Sequence, residues 1–225
     1  MTLPAGFHIA AVTRREDPRD AFVSRHYGHL LAVPERARIG TSSLRRTYQI
    51  KAIRPDLHII PLRGNINTRL HQLDSGQFDA IVIAAAGLIR LGLGERITDY
   101  LEPAMMVPAP GQGALAIEIL ADRTDLIDLL AQHVSDAHTT LTTTAERTVA
   151  KVMDAGCSTP LGAFATYADG VLTLRAAWGD GNNPSAALVT ASASRILPID
   201  GLASAKDLGQ QIAASLLQSG ERQAV

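Results

Sequence analysis

Four short apolar runs, Phe7 to Val12, Ala37 to Gly40, Leu57 to Leu62 and Asp79 to Ala84, constrain this chain more than any other feature. They read as buried strands, and helical stretches at about 43–54 and 66–74 lie among them. Strands alternating with helices argue for a parallel sheet covered on both faces. In such sheets a ligand sits at the carboxyl ends of the strands, where helix N-termini also present free backbone N–H groups. A hydrophobic content of 46% over 225 residues is ample for the cores this requires.

Arginines gather at those strand-to-helix junctions. Gly40-Thr41-Ser42-Ser43-Leu44-Arg45-Arg46 follows one strand and Arg63-Gly64-Asn65-Ile66-Asn67-Thr68-Arg69 another, and Arg90 lies one helical turn after Ala84-Ala85-Ala86-Gly87. An Arg pair alone is commonly a solvated helix face. Here Thr41, Ser42 and Ser43 occupy the helix entry, and Asn65 or Asn67 is placed to cap the next helix, so that Arg63 and Arg69 converge. Consecutive helical residues point about 100° apart, so Arg45 and Arg46 are expected to serve different ligand groups. Guanidinium stays charged and grips a carboxylate through two parallel hydrogen bonds, which makes a small polycarboxylate the expected ligand. The small side chains from Ala84 to Gly87 would let a bulky ligand approach the backbone.

Charge distribution agrees. Residues 35–90 carry nine Lys and Arg against four Asp and Glu, whereas residues 121–225 carry seven against eleven, within a chain of net charge −1. A nearly neutral protein with 4% aromatics offers no broad nucleic-acid surface. No apolar run reaches membrane-spanning length and no secretion signal is evident, so a cytoplasmic protein is expected. A lone cysteine, Cys157, excludes an internal disulfide and a cysteine-rich zinc site. It follows Gly156 in a Ser-Thr-Pro loop, where a thiol is reachable and nearby cations favour thiolate. His26 and His29 lack further ligands, so no metal is expected. Asp17, Asp20, Asp122 and Asp125 read as surface-turn or helix-start residues with capping roles. Gly92-Leu93-Gly94 lacks the third glycine of a dinucleotide fingerprint, and no phosphate-loop lysine motif occurs.

Pro103, Pro108 and Pro110 precede Gly111-Gln112-Gly113 and mark a crossover or hinge. Beyond it come a strand, Ala114 to Leu120, a helix from about Asp125 to Gln132, and a helix from Asp136 to Asp154. The last has an apolar stripe of Leu141, Ala145, Val149 and Val152, with Gly156 as its left-handed cap. Alternating runs at Ala163 to Tyr167, Val171 to Trp178 and Ala187 to Ser194 suggest a three-stranded antiparallel sheet, closed by a helix from about Ala203 to Gln218.

Several of these motifs fall in one order: Arg15-Glu16-Asp17-Pro18-Arg19-Asp20-Ala21-Phe22, the Gly40 to Arg46 run, Leu62-Arg63-Gly64-Asn65, Val107-Pro108-Ala109-Pro110-Gly111-Gln112-Gly113-Ala114, and Gly156-Cys157. The chain resembles the porphobilinogen deaminase (hydroxymethylbilane synthase) family from about Leu3 to the C-terminal helix. The resemblance implies an α/β fold. Residues 16–107 would form a periplasmic-binding-protein-like parallel or mixed sheet domain that binds the polyanion. Residues 1–15 and 108–132 would be the remnant of a second such domain, and residues 133–225 an α+β domain with a three-stranded antiparallel sheet. It further implies a transferase of haem and tetrapyrrole biosynthesis that joins porphobilinogen units head to tail, releasing ammonia through a cationic azafulvene. The primer would be a dipyrromethane cofactor held by a thioether to Cys157. Thr41, Ser42, Ser43, Arg45, Arg46, Ala85, Gln112 and Gly113 would line the cofactor, and Arg63, Arg69 and Arg90 would hold substrate carboxylates.

The family's first domain begins with a longer segment carrying a Lys-Asp motif, which would fall a few residues before Met1. The resemblance therefore implies that the catalytic aspartate is absent and that activity is reduced or lost. Three explanations stay open: a start assigned at an internal methionine, a split protein completed by another fragment, or an inactive descendant. Apolar surface is expected around Ile9 to Val12 and Ala114 to Leu120, with association as its consequence. A noncatalytic polycarboxylate-binding module of solute-binding or regulator type is the alternative reading.

Overall fold

A computed structural model describes residues 4–156, 158–180 and 187–223. Its largest sheet has five strands: β2 (Asp20–Ser24), β3 (Arg38–Gly40), β4 (His58–Ile60), β5 (Ala80–Ala84) and β6 (Asp99–Leu101), in the order β4-β3-β5-β2-β6. Strand β3 runs parallel to β4 and β5, while β2 is antiparallel to β5 and β6. The sheet is thus mixed rather than wholly parallel. Strands β2 and β6 are absent from the sequence reading because the Asp-Pro-Arg-Asp approach to β2 carries strong turn signals that hide the apolar Ala21-Phe22-Val23 behind it.

Helices α1 (Leu44–Ile53), α2 (Ile66–Asp74) and α3 (Ala85–Arg90) follow β3, β4 and β5 in turn. Side-chain oxygens cap the first two. Ser43 Oγ accepts from the Arg46 amide and Asn65 Oδ1 from the Thr68 amide, each satisfying one orphan donor of a helix start. Two apolar clusters cover opposite faces of the sheet. Phe22, Ile39, Ala80 and Val82 pack with Ile50 and Leu57, whereas Ala21, Val23, Ile81 and Ile83 pack with Leu70, Leu73 and Leu88. The two-residue alternation of these side chains along β2 and β5 places them on the two faces.

Strands β1 (Phe7–Val12) and β7 (Ala116–Leu120) form a separate antiparallel ribbon, with α4 (Thr124–His133) packed on β1. This layer is thin: α4 buries no residue, and Phe7, Leu115, Leu120 and Leu129 are 42–52% exposed. The expected apolar surface is therefore present at Leu115 and Leu120, although Ala10 and Ala11 are buried. Asp122 does not cap α4, whose N-cap is Arg123 without a side-chain bond. Asp125 lies in its first turn and pairs with Arg123.

The rest of the chain packs α5 (Ala137–Val152) and α6 (Leu202–Gln223) on a three-stranded antiparallel sheet. The sheet comprises β8 (Leu161–Ala168), β9 (Val171–Trp178) and β10 (Val189–Ile196), in the order β10-β9-β8. Leu172, Leu174 and Ala176 alternate inward and meet Leu141, Ala145 and Val149 of α5. Val152 does not extend that stripe and is 44% exposed. A Cβ on Gly209 of α6 would stand 2.6 Å from the Ala145 carbonyl oxygen, so glycine there lets the two helices approach closely. The left-handed residue after α5 is Asp154, at φ 46°, and not Gly156. The helix stops two residues earlier than the glycine suggests, and a short polar side chain tolerates that conformation. Among the described residues no helix is long and apolar enough to cross a membrane, and no group of three His, Cys, Asp or Glu is placed to hold a metal.

Candidate functional site

Asp20, read from sequence as a turn or capping residue, is instead fully buried in β2 and organises the arginine cluster. Arg45 grips it with both terminal nitrogens, Nη1 to Oδ2 at 2.6 Å and Nη2 to Oδ1 at 3.1 Å. Arg46 reaches the same carboxylate through Nε at 2.9 Å and Nη2 at 2.8 Å. Although they diverge at Cα, the two long side chains converge on one protein acceptor, Asp20. Burial pushes the Asp20 carboxyl up, but the opposing charges of Arg46 and Arg45 outweigh it and hold the group at about 2. Burial lowers the Arg46 pKa; Asp20 opposes that shift, and Arg45 and Arg69 add to it.

The crossover docks onto this cluster. Arg45 Nη1 donates to the Val107 carbonyl at 2.8 Å, and Gln49 binds both the amide and the carbonyl of Val107. Gln112 Nε2 donates to Asp20 at 3.0 Å and to the Pro18 carbonyl at 2.6 Å, while its Oε1 accepts from Arg45. Gly113, at φ +86°, lies where a Cβ would fall 2.4 Å from the Glu16 carbonyl oxygen, so only glycine fits without displacement.

A second buried pair ties the crossover to α5. Arg15 donates to both oxygens of Glu146 at 2.6 and 3.1 Å and through Nε to the Gln112 carbonyl, and its guanidinium lies 5.1 Å from the Phe164 ring centroid. Glu146 also accepts from the Gly111 and Ala165 amides. Burial pushes the Glu146 carboxyl above the ordinary glutamate range, against the pull of Arg15 and the two amides.

The remaining expected site residues are less concentrated. Thr41 is buried, Ser42 donates its hydroxyl to the Leu62 carbonyl, and Ala85 is buried in the α2–α3 core. Arg63 is exposed with no hydrogen bond or ion pair among the described residues. Arg69 donates to the Gly64 carbonyl and Arg90 to the Gly113 carbonyl. Cys157 lies outside the described residues.

A cavity of about 490 Å³ opens beside the cluster. Ser43, Arg45 and Gly111 line it together with Thr143 and Arg147 of α5, and Ile9, Val12, Ala116 and Glu118 of the β1–β7 ribbon close another side. Gly156 and Thr159, which bracket Cys157 in sequence, line it too. Arg45 Nε is buried and has no hydrogen-bond partner among the described residues, although every other nitrogen of that guanidinium is engaged.

Comparison with known proteins places this arrangement. Residues 1–128 match the family model described as porphobilinogen deaminase, dipyromethane cofactor binding domain, and residues 140–218 match that of the porphobilinogen deaminase C-terminal domain. The chain belongs to the porphobilinogen deaminase family. A porphobilinogen deaminase of Albidiferax ferrireducens is 53% identical over 96% of this chain and 67% of its own length. One of Chromobacterium violaceum is 53% identical over 99% of this chain and 69% of its own. Among solved structures, the Bordetella pertussis BvgS VFT2 domain is similar at a TM-score of 0.33 and 17% identity, over 55% of this chain and 53% of that domain. Relative to the porphobilinogen deaminase motifs, sequence reasoning missed Asp20 and the Arg15–Glu146 pair. The signal for Asp20 was its position directly before Ala21-Phe22-Val23, where a strand would bury it.

Proposed function

We propose that this chain supplies the cofactor-holding and polycarboxylate-binding parts of a hydroxymethylbilane synthase, the transferase that joins porphobilinogen units head to tail with release of ammonia. Its units are residues 16–107, residues 1–15 with 108–132, and residues 133–225. The observation that carries the reading is Arg45, held by Asp20 and lining a cavity that Ser43 and Gly156 also line. The Arg45 Nε–H has no hydrogen-bond partner among the described residues, an orphaned buried donor that costs about 1–3 kcal/mol. The residues present thus fit a covalent dipyrromethane on Cys157, which when bound supplies the pyrrole end that the first substrate unit joins.

In this reading Arg45 and Ser43 hold cofactor carboxylates, with Asp20 fixing the direction of the guanidinium. Thr41, Ser42, Arg46, Ala85, Gln112 and Gly113 shape the wall behind them. Arg63, Arg69 and Arg90 take the carboxylates of incoming units, Arg63 with its fork unengaged among the described residues. The exposed apolar side chains Phe7, Leu115, Leu120 and Leu129 of the ribbon and α4 support self-association or a further polypeptide against this layer.

Chain purified from cells that make haem is expected to develop the colour of an α-free pyrrole with an acidic aldehyde reagent, and Cys157→Ala chain is expected to stay colourless. A colourless parent whose single thiol titrates as free would overturn the assignment.

A further inference from the structure

Besides Arg45 and Arg46, α1 buries one further polar side chain, Gln49, which is 2% exposed. It lies one turn after Arg45 and so on the same face of the helix. Its carboxamide accepts from the Val107 amide at 2.7 Å and donates to the Val107 carbonyl at 3.0 Å, and Arg45 Nη1 donates to that same carbonyl at 2.8 Å. A side-chain amide donates and accepts in one plane, which is what the two backbone groups of a single residue require. Val107 is thereby fixed to α1 beside Arg45.

The other side of Val107 meets β8. A Cβ on Gly162 would stand 2.6 Å from the Val107 carbonyl oxygen, so glycine lets the strand backbone close on the crossover. The Ala163 amide donates to the Pro108 carbonyl at 2.9 Å. Strand β8 in turn carries the segment around Cys157. The Pro160 carbonyl accepts from the Gly179 amide, and Thr159 holds Gly156 twice: its Oγ1 accepts from the Gly156 amide at 3.0 Å, and its own amide donates to the Gly156 carbonyl at 3.1 Å. Gly156 and Thr159 thus travel with β8, and both line the cavity that Arg45 also lines.

We propose that Gln49 is a positioning residue for cofactor attachment: by clamping Val107 it sets where β8, and with it the flanks of Cys157, stands relative to Arg45. This rests on the deaminase reading and adds to it a residue that is not among those lining the cavity. Two buried neutral hydrogen bonds correspond to a factor of about ten in how far the docked crossover is populated.

The test is mass spectrometry of the Cys157 peptide from full chains made in cells that synthesise haem, with folding followed by circular dichroism. Gln49→Met keeps the bulk of the side chain and removes both hydrogen bonds, and about tenfold fewer of its folded chains are expected to carry the dipyrromethane addition than in the parent. Gln49→Glu keeps the acceptor for the Val107 amide and leaves the carbonyl to Arg45, so it is expected to recover part of the loading. Gly162→Ala pushes β8 off Val107 with the clamp intact and is expected to lower loading likewise, which decides the matter if Gln49→Met does not fold. Leu70→Ala, in the apolar cluster on the other face of the sheet, controls for lost stability and is expected to load fully in its folded fraction. Full loading of folded Gln49→Met or Gly162→Ala, or an equal loss in Leu70→Ala, would overturn the proposal and leave the deaminase reading intact. An unmodified parent would remove both.

Discussion

Replacing Asp20 by alanine is expected to lower stability by about 3–5 kcal/mol, read as a drop in the denaturant midpoint. The substitution leaves Arg45 and Arg46 as neighbouring buried cations without their common anion and frees Gln112 from β2. Breaking a buried ion pair from one side is costly because the surviving charge stays desolvated. Asp20→Asn keeps the volume and removes the charge, which isolates the electrostatic part. The sign of its pH dependence follows from a folded-state pKa of about 2 against an ordinary 3.8. A depressed carboxyl contributes stability that is fully present above pH 4 and is lost as pH falls through 2, a contribution on the order of 2 kcal/mol. The parent should therefore lose stability over that window more steeply than Asp20→Asn does. Parallel acid profiles would show that Asp20 is not held ionised by the arginines.

Glu146→Ala is expected to have a comparable effect, again about 3–5 kcal/mol. One side chain there receives the Arg15 fork and the amides of Gly111 and Ala165, so its removal strands a guanidinium and two backbone donors together. The groups concerned belong to the segment after β1, to the crossover, and to α5 and β8. The loss should thus loosen the contact between the arginine-bearing sheet and the C-terminal unit. Hydrogen exchange at the Gly111 and Ala165 amides reads this directly: faster exchange is expected at those sites, with protection in the interior of β5 retained. Unchanged protection at Gly111 and Ala165 would mean that Glu146 does not hold the crossover.

Local patterns made much of the fold legible. The alternation in β9, the Leu141, Ala145 and Val149 part of the apolar stripe of α5 and the choice of an asparagine at the start of α2 are each decided within a few residues, and the structure bears them out. What stayed hidden depends on partners far along the chain. Asp20 reads as a turn residue until β5 and β6 are known to flank it, because only a central strand position buries it and makes its charge useful. The convergence of Arg45 and Arg46 was equally out of reach, since their common acceptor lies 25 and 26 residues away.

The central claim is that the buried arginine cluster holds an oligopyrrole acid tethered to Cys157. Mass spectrometry of the Cys157-containing peptide tests it most directly, from parent and Arg45→Leu chains made in cells that synthesise haem and confirmed as folded by circular dichroism. The parent peptide should be heavier than its sequence by two pyrrole units, and the Arg45→Leu peptide should carry little or none of that addition. An unmodified Cys157 in the parent, or full modification in a folded Arg45→Leu chain, would contradict the account.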